Sequence, residues 1–187
     1  MPTSTAIRQP LNQTLAAYPA LIVPGLNNSD AQHWQTRWQA QLVGSRRIEL
    51  DNWATPNLSK WCEAIEQALA AENEPPIVIA HSFGALASAR MAQLQREKIR
   101  ALFLVAPADP DKFSLAHMLP HTALSVKTTL IASTNDPWMD ADKAAQWAMN
   151  WGAEFLRVKD LGHINSASNI ADWPQGMEQL QRLVYSL

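Results

Sequence analysis

The sequence predicts an α/β fold, a three-layer α/β/α sandwich built on a mainly parallel six-stranded sheet. Three observations predict it. Six short blocks rich in Val, Ile and Leu recur along the chain: ALIVP (20–24), RRIEL (46–50), PIVIAH (76–81), RALFLVAP (100–107), KTTLIAST (127–134) and EFLRV (154–158). Continuous apolar runs among them, such as IVIA and LFLV, suit strands covered on both faces, as in a parallel sheet. Helix-patterned stretches stand between blocks, and alternation at this spacing suits right-handed βαβ units in one doubly wound domain covering 1–187.

The elements follow in order. After ALIVP, Pro24-Gly25 turns the chain into the loop PGLNNS, and Trp34 and Trp38 then recur at helical spacing, as core residues do. LSKWCEAIEQALAAE places Leu58, Trp61, Ile65, Ala68 and Leu69 on one stripe, the pattern of a helix with one buried face. ALASARMAQLQREK, ADKAAQWAMNWG and PQGMEQLQRLVYSL follow later strands as further helices. The least regular part, ADPDKFSLAHMLPHTALSV (108–126), is the one candidate for a small flap over an end of the sheet; no segment is long enough for a large lid.

Composition excludes several function classes. A chain of 187 residues suits one domain, and on folding it buries roughly 70% of the surface its unfolded form exposes. The single cysteine, Cys62, has no partner for a disulfide or a thiolate metal site, and its helical setting predicts an inert thiol. A net charge of −2 and a pI near 6.2 give no footprint for nucleic acid. The start, MPTSTAIRQPLNQTLAAYP, lacks the charged and apolar blocks of a secretory signal, and no apolar run approaches a membrane span. The expectation is a soluble, cytoplasmic protein.

Ligand sites in open α/β sheets gather at the carboxyl ends of strands. Ser82 follows PIVIAH, Asp136 follows KTTLIAST, and His163 follows EFLRV across the link KDLG, so all three emerge at one edge. Their chain order, Ser then Asp then His, is that of α/β-hydrolases. Ser82 lies in Ala80-His81-Ser82-Phe83-Gly84, where Gly84 matches the last glycine of G-x-S-x-G and Ala80 replaces the first. The competing reading makes Ser82 a helix cap. Asp136 has its own alternatives: it is a turn former in STNDPWMD, with Asp140 the better cap for the next helix, while Asp109 is a rival acid after an earlier strand. For His163 the alternative is an ordinary surface loop residue.

The chemistry explains why the three belong together. A serine hydroxyl is a poor nucleophile until a base takes its proton, so His163 is expected as base and then acid, with Asp136 holding its tautomer. Charge developing on a carbonyl oxygen needs backbone donors: the N–H of Phe83 and one from PGLNNS, Leu26 first and Asn27 as the alternative. Asn27 and Trp138 are expected to face the substrate, a small-molecule ester. No cofactor or metal is expected, since His117 and His121 are separated by Pro120 and lack the glutamate of H-E-x-x-H, and PGLNNS lacks the G-K-[ST] of a phosphate loop.

Taken together, LIVPGLNNSDAQHWQTRW, VIAHSFGALAS, STNDPWM and DLGHINSAS make the chain resemble the small serine hydrolases of the retinoblastoma-binding-protein-nine family, within the α/β-hydrolase superfamily, over nearly its whole length. The resemblance implies a minimal α/β-hydrolase fold with little or no lid and a Ser82, Asp136, His163 triad. It implies no retinoblastoma partner, because the L-x-C-x-E peptide is absent and Cys62 lies in KWCEA. A thioesterase or amidase on the same triad, or a noncatalytic binding module that keeps the elbow as a turn, stays open at this point, as does the oligomeric state.

Overall fold

The computed structural model describes residues 18–187, so the reading of the amino-terminal stretch lies outside the described residues. All six apolar blocks become strands: β1 Ala20–Val23, β2 Arg46–Arg47, β3 Ile77–His81, β4 Ala101–Val105, β5 Lys127–Ser133 and β6 Glu154–Val158. Five α-helices follow β1, β2, β3, β5 and β6, namely α1 Trp34–Gln41, α2 Leu58–Ala70, α3 Phe83–Leu94, α4 Ala141–Trp151 and α5 Pro174–Tyr185, while β4 leads to β5 through two short 3-10 turns, Pro110–Phe113 and Ala116–Met118. The sheet order is β2-β1-β3-β4-β5-β6, and every neighbouring pair is parallel.

Strand alternation divides the core in two. Ile77 and Ile79 of β3 face one side with Ile22, Phe103 and Ile131, where α1 supplies Trp34 and Trp38 and α5 supplies Met177, Leu180 and Leu183. Val78 and Ala80 face the other side with Leu21, Leu102, Leu104 and Leu130, covered by Trp61 and Ile65 of α2, Leu86 of α3 and Trp147 of α4. Because both faces are dry, each buried Leu, Ile or Val contributes about 1.5–3 kcal/mol, which is why alternate positions need no polar residue.

The helix ends follow local chemistry. Asn57 caps α2 through the Lys60 N–H at 3.2 Å. Asp140 caps α4 through the N–H groups of Asp142 and Lys143, which leaves Asp136 for another use. Gly152 closes α4 in the left-handed conformation at φ 64°.

Segment 108–126 is only partly a flap. Its first turn, Pro110–Phe113, reaches the carboxyl edge of the sheet, but Leu119 and Pro120 are buried, and the Pro120 carbonyl accepts from the Trp151 indole at 2.9 Å. The backbone of Leu124 donates to the Trp151 carbonyl, also at 2.9 Å. These ties fasten the second half of the segment to α4.

The chain runs from β1 outward to β2 and then returns to β3 on the other side of β1. The strand order therefore reverses between β1 and β3, and the crevice beyond their carboxyl ends is the expected ligand position. PGLNNS and Ser82 both open into it.

Candidate active site

Ser82 joins β3 to α3 at φ 55° and ψ −123°, and its side chain makes no capping bond to the helix. A non-glycine residue in such a sparsely populated region costs about 1–3 kcal/mol and persists only where surroundings impose it. Two glycines let the surroundings close in. A Cβ on Gly84 would stand 2.5 Å from the carbonyl oxygens of Val23 and Pro24, and one on Gly25 would stand 2.7 Å from the Ser82 Cβ. The end of β1 is thus pressed against the turn from both sides, while the buried Ala80 fits at the position of the missing first glycine.

The turn aims Ser82 Oγ at His163, whose Nε2 lies 2.8 Å away. On the other side of the ring, Nδ1 lies 2.8 and 3.0 Å from the two carboxylate oxygens of Asp136. An ionised carboxylate only accepts, so Nδ1 carries the proton and Nε2 is left to accept from the serine hydroxyl. The Asp136 side chain is 1% exposed and that of His163 10%, so little water competes for these contacts. Asp136 Oδ1 also accepts from the Trp138 N–H at 2.9 Å, which pins the carboxylate.

The rival acid, Asp109, stands near Ser82 but is bound to other partners. Asp109 pairs with Lys143 at 2.5 Å and caps the turn Pro110–Phe113 through the Asp111 N–H at 3.0 Å. In the first loop, Asn27 and Asn28 both take left-handed conformations, which asparagine tolerates well. The Asn27 N–H donates to the Trp53 carbonyl at 2.9 Å, and this corrects the alternative that made it an oxyanion donor. The N–H groups of Leu26 and Phe83 donate to no acceptor among the described residues. Phe83 is the first residue of α3, where no intrahelical acceptor exists and the helix dipole favours negative charge.

Around Ser82 lies a cavity of about 270 Å³ walled by Leu26, Ala108, Phe113 and Trp138, with Asn27 and His163 at its polar side. Larger grooves of about 660 and 690 Å³ lie along β2 and between β6 and α5, and none of Ser82, Asp136 and His163 lines them. Trp138, 56% exposed, holds its ring 5.6 Å from the Lys112 ammonium, which also donates to the Trp138 carbonyl at 2.7 Å. Of the other tryptophans singled out by spacing, Trp34, Trp38 and Trp61 are fully buried.

Several supports were not read from the sequence. Asn135 Oδ1 accepts from the Gly162 N–H at 2.7 Å, and Ser133 Oγ accepts from the Leu161 N–H at 2.8 Å, tying the His163 loop to the Asp136 turn. Ser166 Oγ donates to Asp30 at 2.8 Å, tying that loop to the one after β1. Lys112 and Asn165 also line the cavity. Their only signal was adjacency to Asp136, His163 or the flap segment. Elsewhere, burial pushes the half-buried Cys62 thiol up to about 11, a poor nucleophile at neutral pH. His121 Nε2–H donates to the Ala116 carbonyl, and no three His, Cys, Asp or Glu side chains among the described residues form a metal cluster. No described helix is long and apolar enough to cross a membrane.

A fully parallel sheet with a strained serine turn at its reversal point, joined by an aspartate and then a histidine further along the chain, is the architecture of the α/β hydrolases. The model of the family described as serine hydrolase matches residues 20–182, and the chain belongs to that family. Among solved structures, a protein described as a YdeN-like hydrolase from Pectobacterium atrosepticum is 35% identical, with a TM-score of 0.88 over 91% of this chain and 93% of its own. The ydeN gene product of B. subtilis is 20% identical, with a TM-score of 0.73 over 91% of this chain and 100% of its own. A protein described as a hydrolase of the alpha/beta superfamily from Xanthomonas campestris shares the fold at 18% identity, with a TM-score of 0.68 over 91% of this chain and 98% of its own. Among curated proteins, none matches the chain.

Proposed function

We propose that the protein hydrolyses a small ester through an acyl-enzyme formed on Ser82, with His163 as general base and acid and Asp136 as its orienting carboxylate. The observation that carries this reading is the unbroken contact series from Ser82 Oγ through the His163 ring to Asp136, at 2.8 Å on each side of the imidazole. In the first step Oγ attacks the ester carbonyl carbon while its proton passes to His163 Nε2, and the new imidazolium is stabilised by Asp136. The carbonyl oxygen becomes an oxyanion, received by the Phe83 and Leu26 N–H groups. Collapse expels the alkoxide, which takes the proton from Nε2 and leaves as the alcohol. Water then enters, gives its proton to Nε2 and attacks the acyl carbon. Collapse of the second intermediate returns the proton to Oγ and releases the acid.

Trp138 and Asn27 are assigned to substrate contact because both line the cavity beside Ser82. The narrower placement, within the retinoblastoma-binding-protein-nine group, rests on the four sequence motifs named above. Thioesters and amides would enter the same chemistry and differ only in the leaving group.

Fluorophosphonate labelling tests the assignment. Wild-type protein should be labelled at Ser82, and Ser82→Ala should lose both labelling and ester turnover, a loss that reaches about 10⁶ in kcat for a triad nucleophile. Undiminished turnover by purified Ser82→Ala would sink it. Parallel assays with matched ester, thioester and amide substrates decide the leaving group.

A further inference from the structure

His81, the residue before Ser82, takes no part in the chemistry above, yet it is buried against the residue that does. It ends β3, is 5% exposed, and its Nε2 lies 2.9 Å from the backbone carbonyl oxygen of His163, 82 positions along the chain. A carbonyl only accepts, so His81 carries a proton on Nε2. Burial, aided by the neighbouring His33 and His163 rings, holds its pKa well below the ordinary histidine value, so the donor is a neutral ring with a fixed tautomer.

The next carbonyl is gripped in the same way. The Trp34 indole N–H donates to the Ile164 carbonyl at 2.8 Å, and Trp34 is fully buried against Trp38 and Trp173. At Ile164 the backbone takes φ 47°, a left-handed conformation that a β-branched residue adopts only when its surroundings impose it. The bonds from Leu161 to Ser133 and from Gly162 to Asn135 act upstream, where the loop leaves the sheet. Two buried ring donors hold the carbonyls of His163 itself and of the strained residue after it.

We propose that His81 is a positioning residue for His163: its Nε2–H grips the His163 carbonyl and, together with Trp34 on Ile164, aims the imidazole at Ser82 Oγ. The inference rests on the reading of Ser82 and His163 as nucleophile and base. One strand end then carries both the nucleophile and the clamp for its base, so the two move together. A packing role alone predicts lower stability at unchanged kcat. Positioning predicts lower kcat at unchanged KM, because a displacement of 1 Å can cost about 10²-fold.

The experiment compares His81→Leu, His81→Gln, Trp34→Phe and Ser82→Ala on a short p-nitrophenyl ester, each assayed well below its own unfolding temperature. Leu removes the donor, whereas the Gln amide returns an N–H near the position of Nε2. His81→Leu should lower kcat by about 10- to 100-fold with KM within about twofold, and His81→Gln should recover most of the loss. Trp34→Phe, which deletes the indole donor and keeps an aromatic ring, should lower kcat to a smaller extent. A wild-type kcat in His81→Leu overturns the inference, as does a Gln variant as impaired as Leu at similar stability. Should His81→Leu not fold, an unchanged kcat in Trp34→Phe overturns it instead. Full turnover in Ser82→Ala would refute the nucleophile assignment, whereas an inactive Ser82→Ala beside a fully active His81→Leu refutes positioning alone.

Discussion

Gly84 lies so close to the end of β1 that a Cβ placed on it would stand 2.5 Å from the carbonyl oxygen of Val23. On an exposed helix, Gly→Ala stabilises by about 1 kcal/mol. Here backbone must move to admit the methyl, and overpacking of this kind costs about 1–3 kcal/mol. Gly84→Ala should therefore melt earlier, by roughly 2–4 °C per kcal/mol in a chain of this size. It should also lose activity on the order of 10²-fold, because the same shift moves Ser82 away from Leu26. Thermal unfolding and kcat/KM check both. A stabilised, fully active variant would show that contact between β1 and the turn is dispensable.

Asp136→Asn and Asp109→Asn should separate cleanly. An amide at 136 no longer holds the Nδ1–H tautomer of His163, and the penalty can reach about 10⁴ in kcat. Asp109 contacts Lys143 and not His163, so its substitution should weaken an ion pair and cost much less activity. Steady-state kinetics on the two purified variants decide. The opposite ranking would move the orienting role to Asp109.

Substrate size should be limited by the cavity beside Ser82. At about 270 Å³ it falls below the roughly 300–1,000 Å³ of sites for drug-sized ligands. Each further CH₂ gains about 0.8 kcal/mol only where apolar wall remains to bury it. Here that wall is Leu26, Ala108, Phe113 and Trp138, since Leu119 is buried in the core and Leu115 and Met118 pack against it. Across p-nitrophenyl esters of graded acyl length, kcat/KM should peak at short chains and ignore micelles. A steady rise to long chains, or activation at a lipid interface, contradicts this.

Stability should fall with acid through a buried histidine outside the proposed triad. Burial lowers His33 from 6.5 to about 4, against a partial opposing pull from Asp30. The unfolded chain binds this proton at higher pH than the native one does, so the stabilisation is present above about pH 6.5 and is lost as pH falls toward 4. The full loss from His33 is about 3 kcal/mol, and His81 adds in the same direction. His33 also caps α1 by accepting from the Gln35 N–H. Asparagine keeps a capping acceptor without titrating, so His33→Asn should flatten the pH dependence of urea unfolding between pH 4 and 6.5. Identical slopes for wild type and variant would rule out this source.

Much of the architecture was legible in the sequence because a doubly covered parallel sheet demands unbroken apolar runs, and IVIA and LFLV are such runs. The site was legible for a related reason. In a parallel sheet every strand points the same way, so residues just beyond PIVIAH, KTTLIAST and EFLRV must share one edge. The order Ser82, Asp136, His163 could thus be read without knowing any distance. Choices between neighbours on that edge could not. Leu26 rather than Asn27 keeps a spare N–H because the Trp53 carbonyl takes the other, and Asp136 rather than Asp109 meets His163 because Lys143 holds Asp109. His81 reaches the His163 carbonyl across 82 positions, and Trp34 reaches the Ile164 carbonyl across 130. Such pairings have no period and no local signature. They are decided when two loops are packed together, since only then does each buried donor meet the acceptor it must satisfy.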